Sequence, residues 1–436
     1  MIVNINHIET EIIDQYLYDE STRPWIICFS GGKDSTMVLQ LVWYALRHIP
    51  EELRTRKIFV LCNDTLVENP RIVQFIEKTL GKIQKAAAQE GMPITVHTTK
   101  PRLEESFWVN LIGKGYPAPN NVFRWCTERL KINPTTRFIV EKVNENGEAI
   151  LLLGSRSDES TNRAKSIQKY EVHGQRLRKH LLPNTYVYAP IKDVLTNDVW
   201  QYLMQVPPPW GENNKELVTL YRNASGGDCP LVIDTSTPSC GNSRFGCWVC
   251  TVVNRDKSME GLVENGELWM EPLLEIRDLL AQSRDRVDMR EQRRRDGKDK
   301  PGTMGPYKPE TRALFLKKVL KVQKEIQETQ GDIELISHQE LVAIQHIWLR
   351  DGIFKPLVSN IYNNIYDITI DMSKHEEKFR KEEELLKKSC KSHPKDFDLI
   401  QELLMLQKTK TLMLRKRGLQ TDIENRLEKF IEETKN

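Results

Sequence analysis

The chain has 436 residues, of which 39% are hydrophobic and 29% charged, and a formal net charge of +3. That length allows one large core plus a further region, and the composition excludes fibrous and wholly disordered classes. No apolar run approaches the roughly 20 residues of a membrane span, and "MIVNINHIETEIID" lacks the basic and apolar parts of a signal peptide, so no membrane contact and a cytoplasmic location are expected. The near-balanced charge neither demands nor excludes a nucleic-acid partner.

The apolar run Trp25–Phe29 reads as a buried parallel strand, Ser30-Gly31-Gly32 forces a tight turn, and a helical apolar period runs from Lys33 to Ala45. Strand Lys57–Cys62, helix Pro70–Gln89, strands Ile94–Thr98, Ala149–Gly154 and Tyr186–Pro190, and helix Thr196–Gln205 follow. This alternation predicts an α/β fold, a parallel sheet with helices on both faces and ligands at the carboxyl ends of its strands. The Ser30 turn, Asn63-Asp64-Thr65, Lys100 and Gly154-Ser155-Arg156 each follow a strand, so one rim should gather them.

A phosphate belongs at the Ser30 turn. Two glycines let the backbone approach an anion, and the first N–H groups of the next helix point at it. The Walker spacing does not apply, because Ile27 stands where its first glycine is needed. Lys33 is either a phosphate ligand or a solvated first-turn residue. Further on, "LLLGSRSDESTNRAKS" adds Gly154, Arg156, Glu159 and Arg163, and arginines at a helix start beside a carboxylate suit bidentate phosphate binding.

Of the eight cysteines, Cys28 and Cys62 fall in strand patterns and read as buried thiols. Cys126 sits among Arg124, Arg129 and Lys131, whose charges favour the nucleophilic thiolate; the alternative is a core thiol beside Trp125. Cys229, Cys240, Cys247 and Cys250 have the spacing C-x10-C-x6-C-x2-C in an irregular Pro- and Gly-rich segment. Four thiolates there can hold a structural zinc or an iron–sulfur cluster. Cys390 lies in a charged helical run, where a surface position is expected. The boundaries drawn are 1–210 for the α/β part, 211–262 for the cysteine-rich segment and 263–436 for a charged helical region.

"SGGKDS" resembles the phosphate loop of the PP-loop ATP pyrophosphatases, which split ATP between its α and β phosphates. With "CNDTLVENP", "RWCTERLKINP", "LLLGSRSDESTNRAKS" and "YAPIKDVLTNDVWQYL", the stretch from about Trp25 to Leu203 is similar to the phosphoadenylylsulfate reductase branch of that superfamily. The resemblance implies an adenine nucleotide α-hydrolase-like sheet that takes ATP and Mg2+. Ser30, Gly31, Gly32 and Ser35 would hold pyrophosphate, Asp34 would orient the loop or the magnesium ion, and Asp64, Gly154, Arg156 and Glu159 would complete the nucleotide site. The reductases end in a cysteine on a short tail, whereas "RLEKFIEETKN" has none, a departure that weakens sulfate reduction as the expected activity.

"SRFGCWVC" following such a domain resembles the DndC-type sulfurtransferases of bacterial DNA phosphorothioation. That resemblance implies a [4Fe-4S] cluster on Cys229, Cys240, Cys247 and Cys250, with zinc the alternative. It also implies DNA, a cysteine desulfurase and other subunits of a phosphorothioation complex as partners. The expected activity is ATP-dependent exchange of a backbone phosphate oxygen for sulfur, with Asp34, Cys126, Arg156 and Arg163 as catalytic candidates. Transfer-RNA thiolation, sulfonucleotide reduction and a DNA-anchoring subunit without ATP hydrolysis are the alternatives. Residues 284–300 hold eight basic and five acidic side chains, ordinarily a solvated helix face. The same resemblance over Leu262–Leu320 makes Arg293, Arg294, Arg295 and Lys308 candidate DNA contacts, with Tyr307 on the same surface.

Overall fold

The computed structural model describes residues 5–19, 22–171, 174–224, 246–292, 304–351, 353, 356–369 and scattered positions from 381 to 431, without the side chains of 162, 163 and 166. The chain divides into two compact units, the first formed by Met1–Pro101 and Pro119–Arg277, the second by Arg102–Ala118 and Asp278–Asn436.

The first unit is built on a six-stranded sheet, β1 (Trp25–Cys28), β2 (Ile58–Asn63), β3 (Ile94–Thr99), β4 (Ala149–Leu152), β5 (Arg178–Lys179) and β6 (Thr185–Tyr188), in the order β3-β2-β1-β4-β6-β5. All neighbours pair in parallel except β5 with β6. The chain runs outward from β1 through β2 to β3, then returns to place β4 on the other side of β1. The order therefore reverses between β1 and β4, where ligands of open α/β sheets bind. The antiparallel edge strand was not expected; the few residues joining β5 to β6 are too short for a crossover and permit only a hairpin.

Helices α1 (Ile5–Leu17), α2 (Lys33–Arg47), α3 (Pro70–Gln89), α4 (Asn133–Asn146), α5 (Thr161–Tyr170), α6 (Thr196–Gln205), α7 (Lys215–Ala224) and α8 (Lys257–Glu264) complete this unit. Strand residues alternate between faces, so Trp25, Ile27, Val60 and Leu152 pack in one cluster with α1, α2, α3 and α6. Ile26, Phe59 and Leu151 pack on the other face with Phe138 and Ile139 of α4. Each large apolar side chain so buried contributes about 1.5–3 kcal/mol, which is why β1, buried on both faces, lacks polar alternation.

The boundary between the units falls inside α9 (Glu271–Ser283). The second unit holds α10 (Pro309–Gln330), α11 (His338–Arg350) and α12 (Val358–Tyr366). Trp108 and Trp348 are buried in it and donate their indole N–H groups to Leu335 O (2.7 Å) and Ile112 O (2.9 Å). Cys390 is buried, not at the surface as expected. No helix among the described residues is long and apolar enough to cross a membrane.

Candidate active site

The turn after β1 supplies the centre. Gly31 has φ +71°, and a Cβ there would lie 2.6 Å from Ile76 Cγ1 of α3, so only glycine fits. Gly32 starts α2 without a side-chain cap, leaving the first-turn N–H groups to the loop. Ser35 Oγ accepts from Ser30 N–H (3.2 Å) and donates to Gly32 O (3.0 Å), which closes the loop on itself.

Across the switch point, a Cβ on Gly154 would meet the Asp34 carbonyl carbon at 2.9 Å and Ser35 N at 3.1 Å. The backbones after β1 and β4 are therefore in contact, and Gly154 is the residue that permits it. Two positions on, the guanidinium of Arg156, 1% exposed, donates Nε–H to Asp34 Oδ1 (2.7 Å), Nη1–H to Val194 O (3.0 Å) and Nη2–H to Thr196 Oγ1 (3.1 Å). Lys33 Nζ takes the other Asp34 oxygen at 3.0 Å, so both carboxylate oxygens face cations. Glu159 Oε1 accepts from Arg156 N–H (2.8 Å) and braces the turn.

Asp158 links the same turn to α6 by accepting from Thr196 N–H and Oγ1–H, both at 2.8 Å. Burial raises its affinity for a proton, but the Thr196 bonds and the charge of Arg156 outweigh that and hold the carboxyl below its usual range. The Ser155 hydroxyl is buried with no hydrogen-bond partner among the described residues.

Lys33 is buried, which overturns the solvated alternative. Its Nζ lies 5.7 Å from the Tyr221 ring centroid, and its backbone N–H donates to Tyr221 Oη at 3.3 Å. Asp64 stands apart from the loop contacts, accepting from Leu66 N–H (2.8 Å) and pairing with Lys100 (3.3 Å). Arg163 is on α5, its side chain outside the described residues.

A group of sulfurs lies in the same unit. Cys126 precedes a π-helical turn, Thr127–Ile132, whose Leu130 O accepts from Asn63 Nδ2 at the end of β2 (2.9 Å). Cys247 pairs as a bridge with Glu68, and Trp248 N–H donates to Val67 O (3.0 Å). Cys247 Sγ lies 3.3 Å from Thr65 Oγ1, and Lys131 Nζ is 3.4 Å from Glu68 Oε1. Cys250 closes a turn onto Cys247 O (3.0 Å), and its own carbonyl accepts from Arg277 Nε–H (3.0 Å).

Burial raises the Cys247 thiol, and Glu68 adds to the effect. Burial also raises Cys126, with the Cys250 sulfur adding to it. The expectation of a Cys126 thiolate is thereby corrected. Arg124 turns to Asn121 Oδ1 (2.7 Å) and Lys131 to Glu68, so these charges are engaged elsewhere and desolvation wins. Burial pushes Cys28 and Cys62 up to about 12, in keeping with inert structural thiols.

Cys229, Cys240, Arg293, Arg294 and Arg295 lie outside the described residues. Among the described residues no group of three His, Cys, Asp or Glu is arranged to hold a metal ion. Lys308 caps α10, its N–H donating to Met289 O (3.0 Å). Tyr307 is fully buried, with its hydroxyl 2.8 Å from Ser283 Oγ, so it cannot track a phosphate backbone as expected. Tyr221, Asp158, Thr196, Glu68 and Arg277 were not foreseen as site residues. Glu68 stood inside a motif, whereas Tyr221 carried no local signal at all.

The phosphoadenosine phosphosulfate reductase domain model matches residues 24–253. An uncharacterized protein of Methanocaldococcus jannaschii is 27% identical over 258 residues, 58% of this chain and 41% of that protein, so the chain spans less than half of that relative's length. The crystal structure of phosphoadenylyl-sulfate (PAPS) reductase from Candida auris, a phosphate complex, has 13% identity and a TM-score of 0.29, covering 49% of this chain and 89% of that one. With the family match reaching over the sheet, the Ser30–Ser35 loop and Cys126, Cys247 and Cys250, the chain belongs to the phosphoadenosine phosphosulfate reductase domain family.

Proposed function

We propose that the protein is an ATP-dependent sulfurtransferase that adenylates a non-bridging oxygen of a DNA backbone phosphodiester and replaces it with sulfur. The observation that carries this reading is a phosphate loop locked by Gly154 and Arg156 in the same unit as a group of thiols, Cys126, Cys247 and Cys250. Oxygen bound to phosphorus leaves poorly and AMP leaves well, so adenylation lowers the barrier to substitution.

In the first step the substrate oxygen bonds to the α-phosphorus of ATP and the bond to pyrophosphate breaks. The Ser30–Ser35 backbone and helix start receive the departing charge, with Gly154, Arg156 and Glu159 holding the loop in shape and Arg163 adding charge at the α5 start. Both Asp34 oxygens face cations, so Asp34 orients the loop through Lys33 and Arg156, and magnesium, when bound with ATP, would supply charge neutralisation at the phosphates. In the second step the terminal sulfur of a Cys126 persulfide, loaded by a cysteine desulfurase partner, bonds to phosphorus and AMP leaves. A thiol then attacks Cys126 Sγ, displacing the phosphorothioate and leaving a mixed disulfide, and a second thiol reduces that disulfide, so that two thiols become one disulfide and the Cys126 thiol is regenerated.

Cys229, Cys240, Cys247 and Cys250 are the proposed ligands of a [4Fe-4S] cluster, with zinc the alternative. The Cys247–Cys250 turn suits such a group, because these two sulfurs share one tight turn and metal binding favours loss of the proton that burial retains on Cys247. When bound, a cluster supplies sulfur or electron handling beside Cys126. Arg293, Arg294, Arg295 and Lys308 are proposed DNA contacts, and the protein is proposed to work in the cytoplasm with other phosphorothioation subunits.

The family match equally suits sulfonucleotide reduction as a second reading. The two differ in phosphate chemistry. Purified protein given ATP, DNA and a persulfide donor should release pyrophosphate and AMP; sulfite release from a sulfonucleotide without ATP cleavage would replace the sulfurtransferase reading with the reductase one.

A further inference from the structure

Tyr221 lies outside the loop motif, yet it touches the loop three ways. Its Oη accepts from Lys33 N–H, the first N–H of α2 (3.3 Å). It lies 3.1 Å from where a Cβ of Gly32 would stand. Its ring faces the Lys33 ammonium. The side chain is buried and fixed by edge-to-face packing on Trp200, ring centroids 4.9 Å apart.

A neutral hydroxyl at the start of a helix occupies ground that favours an anion. The bond is also long, as is that from Gly32 N–H to Ser30 Oγ (3.4 Å), whereas N–H bonds to charged oxygens close to about 2.7–2.9 Å. Both N–H groups are held by weak neutral acceptors that a phosphate would outcompete.

We propose that the Tyr221 hydroxyl is a place-holder for a phosphate oxygen of the nucleotide, occupying the Lys33 N–H in the free protein and giving it up when the phosphate chain binds. Tyr221 is thus a positioning residue that sets affinity for the phosphate chain and not for the nucleoside. This rests on the ATP reading of the loop.

Tyr221→Phe keeps the ring on Trp200 and over Lys33 and removes only the competing oxygen. Calorimetric titration of wild type and variant with a non-hydrolysable ATP analogue plus Mg2+, with inorganic pyrophosphate and with adenosine tests it. The variant is expected to bind the analogue and pyrophosphate roughly three- to tenfold more tightly, the worth of one neutral hydrogen bond, with adenosine unchanged. Wild-type binding with an equal or weaker variant overturns the place-holder role alone, because a hydroxyl that donates to phosphate or merely supports the fold cannot improve affinity when removed. Wild type binding neither analogue nor pyrophosphate overturns this proposal together with the ATP reading.

Discussion

Arg156 Nε–H donates to Asp34 Oδ1 across 2.7 Å, tying the turn after β4 to the first turn of α2. The guanidinium is buried and also holds Val194 O and Thr196 Oγ1, so one side chain fixes three segments around the switch point. Truncating it leaves Asp34 with Lys33 alone and takes the donor from buried Val194 O and half-buried Thr196 Oγ1. Arg156→Ala should cost about 3 kcal/mol in urea unfolding followed by circular dichroism. Arg156→Lys, which keeps the charge but not the fork, should recover less than half of that.

Gly154→Ala places a methyl group against the Asp34–Ser35 peptide, where the neighbour is backbone and cannot rotate away. A destabilisation of about 1–3 kcal/mol is expected, together with loss of pyrophosphate release. A variant with full turnover would show that the two turns do not need their close approach.

The parallel sheet was legible because β1, β2 and β4 are apolar runs followed closely by Ser, Asn and Gly turns, whereas the strand order, and with it the switch point between β1 and β4, has no local signal. Helix α3 matched its expected span, since Asn69 caps it, accepting from Arg71 N–H (3.0 Å), and Pro70 occupies the first position. Helix α1 was not expected, although Ile8, Ile12 and Tyr16 recur at i, i+4, i+8 and are buried. Within the site, Gly154 and Arg156 were readable from their place after a strand. Tyr221 was not, because its contact with Lys33 spans 188 positions and no local pattern encodes it. The environment of Cys126 was not legible, because its basic sequence neighbours Arg124 and Lys131 turn to Asn121 and Glu68 in space.

The separate roles proposed for the thiols give a metal test. Cys250→Ala should strip iron and acid-labile sulfide from anaerobically purified protein, whereas Cys126→Ser should retain the metal and lose sulfur transfer. Elemental analysis beside the sulfur-transfer assay checks both. Zinc without iron in the wild type would replace the cluster with its alternative.

His97 provides a pH test independent of the active site. Its ring packs between Phe59 (5.4 Å) and Phe138 (5.1 Å), and burial, with the Lys142 charge adding to it, lowers its affinity for a proton. The unfolded chain binds that proton first, near pH about 6.5. The contribution of His97 to stability is therefore full above that pH, is lost as the pH falls through it, and levels off once the folded protein is also protonated. Between pH 7.5 and 5.5 the melting temperature of His97→Phe should fall less than that of wild type; an equal fall would remove His97 as the source.

The most direct measurement is mass spectrometry of nuclease-resistant phosphorothioate dinucleotides in DNA from host cells carrying wild-type, Asp34→Ala or Cys250→Ala protein. Phosphorothioates with wild type and none in either variant are expected, since the phosphate loop and the thiol group would then serve one reaction on DNA. Phosphorothioates that persist in the variants, or that are missing from a host with the intact protein and its partners, would contradict DNA sulfuration as the function of this site.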